Sequence, residues 1–126
     1  MDQHQYVTLN GIDMPVFSRW SYEESDPYAI TLAFRGDRGQ WVKWSFGRDL
    51  VINGLIEPAG LGDVRVHPDL AESDLLMIEL ESPHGYAVVE MAREDAERFV
   101  TATLEAVPLG AEKVDVDAFI AEIIKV

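Results

Sequence analysis

Apolar residues recur at every second position through the middle of this 126-residue chain and at helical spacing toward its end. Ile30, Leu32 and Phe34 form one stripe, and Val42, Trp44 and Phe46 form a second. The stripes share a face only if Phe34 lies opposite Val42, Leu32 opposite Trp44 and Ile30 opposite Phe46. That register leaves Asp37-Arg38-Gly39 as the loop, with Gly39 where a type I turn followed by a bulge needs positive φ. A two-residue loop would set Lys43 against Leu32, and the apolar pattern rejects it. In a second hairpin, Ser82-Pro83-His84-Gly85 spells a type I turn. It pairs Leu80 with Ala87, Ile78 with Val89 and Leu76 with Met91 on one face. Met77, Glu79, Glu81, Tyr86, Val88 and Glu90 fall on the other.

The remaining elements are less sharply drawn. Met1 to Asp13 is polar around the run Tyr6-Val7-Thr8-Leu9, and residues 1–14 are expected to be a variable arm or an edge strand. From Pro15 to Tyr22, Val16, Trp20 and Tyr22 alternate with Phe17, Arg19 and Ser21, with Ser18 the polar exception. Arg48 to Asn53 is a short helix stopped by Gly54. Residues 92–106 place Ala92, Ala96, Phe99, Val100 and Leu104 on one helical face, ended by Pro108 and Gly110. A last helix follows Asp115 as N-cap, with Val116, Phe119, Ile120, Ile123 and Ile124 on its apolar stripe. The fold class expected is α+β: a strongly bent antiparallel sheet with C-terminal helices, forming one domain over residues 1–126.

Charge narrows the range of partners. The formal net charge is −13, and residues 69–126 hold 14 acidic against 4 basic side chains. Such a chain repels phosphate backbones, which argues against nucleic acid as a partner. Cysteine is absent, which removes disulfides and thiolate chemistry. No apolar run reaches the roughly 18 residues of a membrane span, and no signal peptide opens the chain. A cytoplasmic protein without membrane insertion is expected.

Catalytic motifs are thin. Gly60-Leu61-Gly62 opens like a phosphate loop, but Asp63-Val64-Arg65-Val66-His67 continues as a strand rather than a helix, and Asp63 repels phosphate. His4, His67 and His84 have no companions at metal-ligand spacing. Glu79, Glu81 and Glu90 share an outer hairpin face, where a paired acid and base is conceivable and a solvated surface is the simpler account. Arg35, Trp41 and Lys43 share the outer face of the first hairpin. Arg35 beside Trp41 is either a covered cation–π pair or a protein-contact hot spot. Asp49 suits the start of the short helix, whereas Arg48 there requires a carboxylate partner or an interface. With Arg65, these residues (Arg35, Trp41, Lys43, Arg48 and Asp49) are the candidates for partner contact.

Several segments follow one another in a distinctive order: Asp26-Pro27-Tyr28-Ala29-Ile30, Trp44-Ser45-Phe46-Gly47-Arg48-Asp49-Leu50, and Gly60-Leu61-Gly62-Asp63-Val64-Arg65-Val66. Leu80-Glu81-Ser82-Pro83-His84-Gly85, Phe99, Val107-Pro108-Leu109-Gly110-Ala111-Glu112 and the closing apolar helix follow. In order and spacing the chain after residue 20 resembles the SsgA-like family, actinobacterial proteins of sporulation and cell division. The resemblance implies a non-enzymatic adaptor without cofactors, acting at the division septum. Its partners would be division proteins such as the tubulin-like GTPase FtsZ. The resemblance also implies a homotrimer and a fold like the Whirly and guide-RNA-binding proteins, which leaves a single-stranded nucleic-acid-binding module as the alternative function.

Overall fold

The computed structural model describes residues 1–10, 14–114 and 116–124. Within these residues, seven strands and three helices follow one another. They are β1 (Asp2–Leu9), β2 (Val16–Ser21), β3 (Ala29–Arg35), β4 (Trp41–Gly47), α1 (Arg48–Gly54), β5 (Val64–Pro68), β6 (Leu75–Ser82), β7 (Gly85–Ala92), α2 (Arg93–Ala106) and α3 (Val116–Ile124). The strands form one curled antiparallel sheet in the order β4-β3-β2-β1-β7-β6-β5. The architecture is α+β, as the alternation implied.

Both hairpins take the registers read from the sequence. Phe34 faces Val42, Leu32 faces Trp44 and Ile30 faces Phe46, with Gly39 at φ +80°. Ser82 faces Gly85, Leu80 faces Ala87, Ile78 faces Val89 and Leu76 faces Met91. Segment β1 departs from expectation. Instead of an arm or an edge, it is the middle strand, paired with β2 along most of its length. It meets β7 through only Thr8↔Glu90 and Leu9↔Val89. Asn10 extends that seam: its N–H donates to the Val88 carbonyl at 2.9 Å, and its side-chain Oδ1 accepts from the Val88 N–H at 2.7 Å. The polar β1 sequence is tolerated because Gln5, though buried, donates to Ser18 Oγ at 2.8 Å, and Ser18 donates to the Gln5 carbonyl at 2.9 Å. That exchange also accounts for Ser18 on an otherwise apolar face, since buried polar groups persist where they pair with each other.

The inner face of the sheet carries the core, and α1 and α2 lie against it. Trp20, Ile30, Leu32, Leu76, Ile78, Val89 and Met91 are buried there. Phe99 from α2 stacks on Trp20 with centroids 5.1 Å apart, and Phe46 meets Trp20 edge-on at 6.1 Å. Burial of each such side chain contributes roughly 1.5–3 kcal/mol. Helix α1 lies on β5 because Gly54 has no Cβ: one added there would sit 2.4 Å from Val66 Cγ1. The Arg93 guanidinium, at the start of α2, donates to the Leu55 carbonyl at the end of α1. Helix α3 differs from its predicted role. Ile120, Ile123 and Ile124 are 45–72 % exposed, so this part of its apolar stripe faces outward rather than into the core. The expected cap, Asp115, lies outside the described residues. Among the described residues, no helix is long and apolar enough to cross a membrane.

Candidate functional site

The outer face of β1–β4 gathers aromatic and cationic side chains. Strand alternation places His4 and Tyr6 on it from β1, Phe17 and Arg19 from β2, Arg35 from β3, and Trp41 and Lys43 from β4. The register lines up His4, Arg19, Ala33 and Lys43 across four strands, with the pairs Tyr6–Phe17 and Arg35–Trp41 alongside. Ala33, the small residue of that row, is fully buried beneath its larger neighbours. The Arg19 guanidinium lies 4.3 Å from the Trp41 ring centroid, and that of Arg35 lies 5.3 Å away. His4 stacks on Phe17 at 5.3 Å, Tyr6 meets Phe17 at 5.2 Å, and Phe17 lies 6.1 Å from Trp41.

The expected Arg35–Trp41 contact is therefore present, with Lys43 exposed beside it. The sequence reading missed Arg19, Phe17, His4 and Tyr6. Alternation along β2 put Phe17 and Arg19 on one face. Their closeness to Trp41 depended on the offset between β2 and β3, which the connection through residues 22–28 does not encode.

Arg48 belongs to a different environment. It is buried, 1 % exposed, which removes it from the candidate contact surface and corrects that expectation. Its guanidinium donates to the Val107 carbonyl at 2.7 Å and the Thr103 carbonyl at 3.2 Å, and to Glu112 Oε1 at 2.8 Å. It thus ties down the end of α2, satisfying the Val107 carbonyl and sharing the Thr103 carbonyl with the Val107 N–H, which donates to it at 2.8 Å. The same guanidinium lies 5.4 Å from the ring of Tyr22, whose hydroxyl donates to the Pro27 carbonyl; burial raises the Tyr22 pKa. Hydrogen bonds from its own backbone N–H and that of Gly110, with Arg48 adding to them, hold the Glu112 carboxyl below its ordinary value. Asp49, next to Arg48, is exposed on the first turn of α1.

On the outer face of β5–β7, Glu79 is the centre of a small network. It accepts hydrogen bonds from the Tyr86 hydroxyl and from His67 Nε2, the latter at 3.0 Å. Arg65 lies 3.6 Å from Glu79 and 3.2 Å from Glu81. The Tyr86 hydrogen bond is the main cause of a lowered Glu79 pKa, and it raises that of Tyr86 in return. Glu90 accepts from Thr8 instead. These carboxylates bond to cations and hydroxyls on an open face rather than to one another, an arrangement that serves cohesion of the strands. Gly60 has φ +100°, and a Cβ there would lie 2.5 Å from the Val64 carbonyl, so this loop turns the chain back onto β5. Among the described residues, no His, Asp and Glu side chains cluster in a metal-binding group.

Comparison with known proteins places this arrangement. Residues 16–112 match the profile of the family described as Streptomyces sporulation and cell division protein, SsgA. The chain is 40% identical over 121 residues to the sporulation-specific cell division protein SsgB of Frankia casuarinae, covering 94% of this chain and 85% of that one. It is 41% identical over 99 residues to SsgB of Saccharopolyspora erythraea, covering 79% and 70%. The crystal structure of an SsgA-like sporulation-specific cell division protein from Thermobifida fusca superposes with a TM-score of 0.83 at 34% identity, covering 98% of this chain and 94% of that one. A solved SsgB structure connected with longitudinal cell division during sporulation of Streptomyces coelicolor gives 0.81 at 35%, covering 88% and 91%. The chain belongs to the SsgA family of sporulation and cell division proteins.

Proposed function

We propose that this protein is a non-enzymatic adaptor that positions septa by recruiting or localising division proteins, FtsZ among them. The observation that carries this function is membership, over most of the chain, in a family whose relatives are named as sporulation-specific cell division proteins. An outer sheet face bearing Trp41 between Arg19 and Arg35 supplies the kind of surface on which protein contacts concentrate. In this function, residues 1–126 act as one domain. It works in the cytoplasm at the septum, as a homotrimer. The test is co-sedimentation with FtsZ filaments. The protein is expected to pellet with the polymer and Trp41→Ala to pellet several-fold less; a native protein that stays in the supernatant would refute the adaptor.

A second function has one observation in its favour. Phe17, Tyr6 and Trp41 among Arg19, Arg35 and Lys43 make a face on which single-stranded bases would stack, in the manner of the Whirly and guide-RNA-binding proteins whose fold this one is proposed to share. The net charge of −13 opposes it. A mobility shift with short oligonucleotides at low salt decides; absence of a shift removes it.

A further inference from the structure

Acidic side chains outnumber basic ones 23 to 10 in this chain, yet among the described residues five side-chain cations stand without a carboxylate. Arg48, Arg65, Arg93 and Arg98 each hold one at 2.6–3.2 Å. Among the described residues, Arg19, Arg35, Arg38, Lys43 and Lys113 make no ion pair. All but Lys113, which follows α2, lie on β2, β3, β4 or the β3–β4 turn. Asp2 and Glu23 line a shallow hollow with Arg19 and Lys43 and still do not pair with them. Four of the five unneutralised cations of an acidic protein thus gather around one strand, β4.

Strand β4 is also an open sheet edge. At one end of the β3–β4 ladder the Gly36 N–H donates to the Gln40 carbonyl at 2.7 Å, and at the other the Arg48 N–H donates to the Tyr28 carbonyl at 2.7 Å. Antiparallel pairs alternate between bonded and non-bonded, so Val42, Trp44 and Phe46 turn their backbone groups toward β3. The N–H and C=O groups of Trp41, Lys43 and Ser45 then point away from the sheet. The opposite edge is closed, because Ala59 and Val66 exchange hydrogen bonds of 2.8 and 2.9 Å along β5. Edges are commonly blunted by proline, a bulge or brevity; β4 runs regularly for seven residues with Lys43 as its one charged side chain.

The two faces of this edge differ in chemistry. Arg35, Trp41 and Lys43 flank it on the outer side. On the inner side, Val16, Phe34, Val42, Trp44, Leu80 and Ala87 help line an apolar hollow of about 440 Å³ between the tips of the two hairpins. Val42 is 48 % exposed there. A strand added to β4 would direct alternate side chains toward the cations and into this hollow.

We propose that β4 is a docking edge for an extended acidic polypeptide segment, which adds as an eighth strand with carboxylates facing Lys43 and Arg35 and apolar side chains entering the hollow beside Val42 and Trp44. The assignment rests on the adaptor function in taking the partner to be a polypeptide. A second copy paired β4 to β4 would bring two identical sets of cations onto one face, which like-charge pairing disfavours. A nucleic acid lacks the peptide N–H and C=O groups that continue a ladder.

The test is fluorescence anisotropy with a labelled peptide in which glutamate and valine alternate, beside a scrambled peptide of equal composition. Ser45→Pro removes one outward N–H and none directed at β3, whereas Lys43→Glu reverses the charge. The alternating peptide is expected to bind the native protein, and each substitution to weaken it by about tenfold or more with circular dichroism unchanged. Failure of the native protein to bind, equal binding of the scrambled peptide, or indifference to both substitutions would overturn the proposal. A labelled oligothymidine that binds more tightly than the peptide would overturn it in favour of nucleic acid. Loss of an oligomer in Ser45→Pro would overturn it in favour of a second copy. FtsZ co-sedimentation of the same variants separates the two levels. Peptide binding without FtsZ binding refutes the adaptor and leaves the edge; FtsZ binding without peptide binding does the reverse.

Discussion

Arg48 makes the strongest demand of any single residue. A guanidinium 1 % exposed is tolerable only because two carbonyls and one carboxylate surround it. Arg48→Met keeps much of the volume but strands the buried Val107 carbonyl and leaves Glu112 without its cation. It is expected to cost about 3 kcal/mol, read as a lower urea midpoint at unchanged slope. The carboxylates add a pH dependence. Glu112 is held low by its own and the Gly110 N–H groups together with Arg48, and Glu79 chiefly by Tyr86, both from an ordinary value of 4.5. A lowered folded pKa means that the stabilisation is fully present above the ordinary value and is lost as pH falls through the lowered one. The urea midpoint should therefore hold near neutrality and decline as the pH falls through 4.5 and below, more shallowly in Glu112→Gln.

At the scale of elements, the packing of α1 on β5 sets two effects against each other. Gly54→Ala gains up to about 1 kcal/mol of helix propensity. The new Cβ would lie 2.4 Å from Val66 Cγ1 and 2.9 Å from the Val66 carbonyl, and overpacking of this kind costs about 1–3 kcal/mol. Because one of the obstacles is backbone, the clash should prevail. Thermal unfolding should report a destabilised Gly54→Ala, whereas Gly62→Ala, with nothing within 4 Å of its Cβ, should be close to neutral. The hairpins were legible in the sequence because a short loop and six apolar residues leave a single register. Strand β1 was not, because its inner face includes Gln5, whose burial makes sense only once Ser18 is opposite. The partner of Arg48 was hidden for a simpler reason: 64 residues separate it from Glu112, and no local spacing connects them. The aromatic–cationic face was half visible, in Arg35 and Trp41, and its other half waited on how β2 lies against β3.

For the whole molecule, charge and exposed apolar surface are unevenly shared between regions. The outer face of β1–β4 keeps unpaired cations, while α3 exposes Ile120, Ile123 and Ile124. If that stripe is the contact of the proposed homotrimer, Ile123→Lys should shift sedimentation equilibrium to the monomer while changing protomer stability by no more than about 0.5 kcal/mol. A trimer that survives the substitution would place the subunit contact elsewhere. The seam between the two halves of the sheet has a further consequence. The family match begins at residue 16, so the strand that joins the halves lies outside the matched segment. Strand β1 does most of its joining with backbone groups, which are the same whatever side chains it carries, with Thr8 and Gln5 adding side-chain bonds to Glu90 and Ser18. Its side chains are therefore free to differ so long as the buried positions stay paired or apolar, and three of the outward ones, His4, Tyr6 and Thr8, border either the cationic face or the acidic one. A few changes in the first nine residues would alter the surface offered to a partner while leaving the frame beneath it intact.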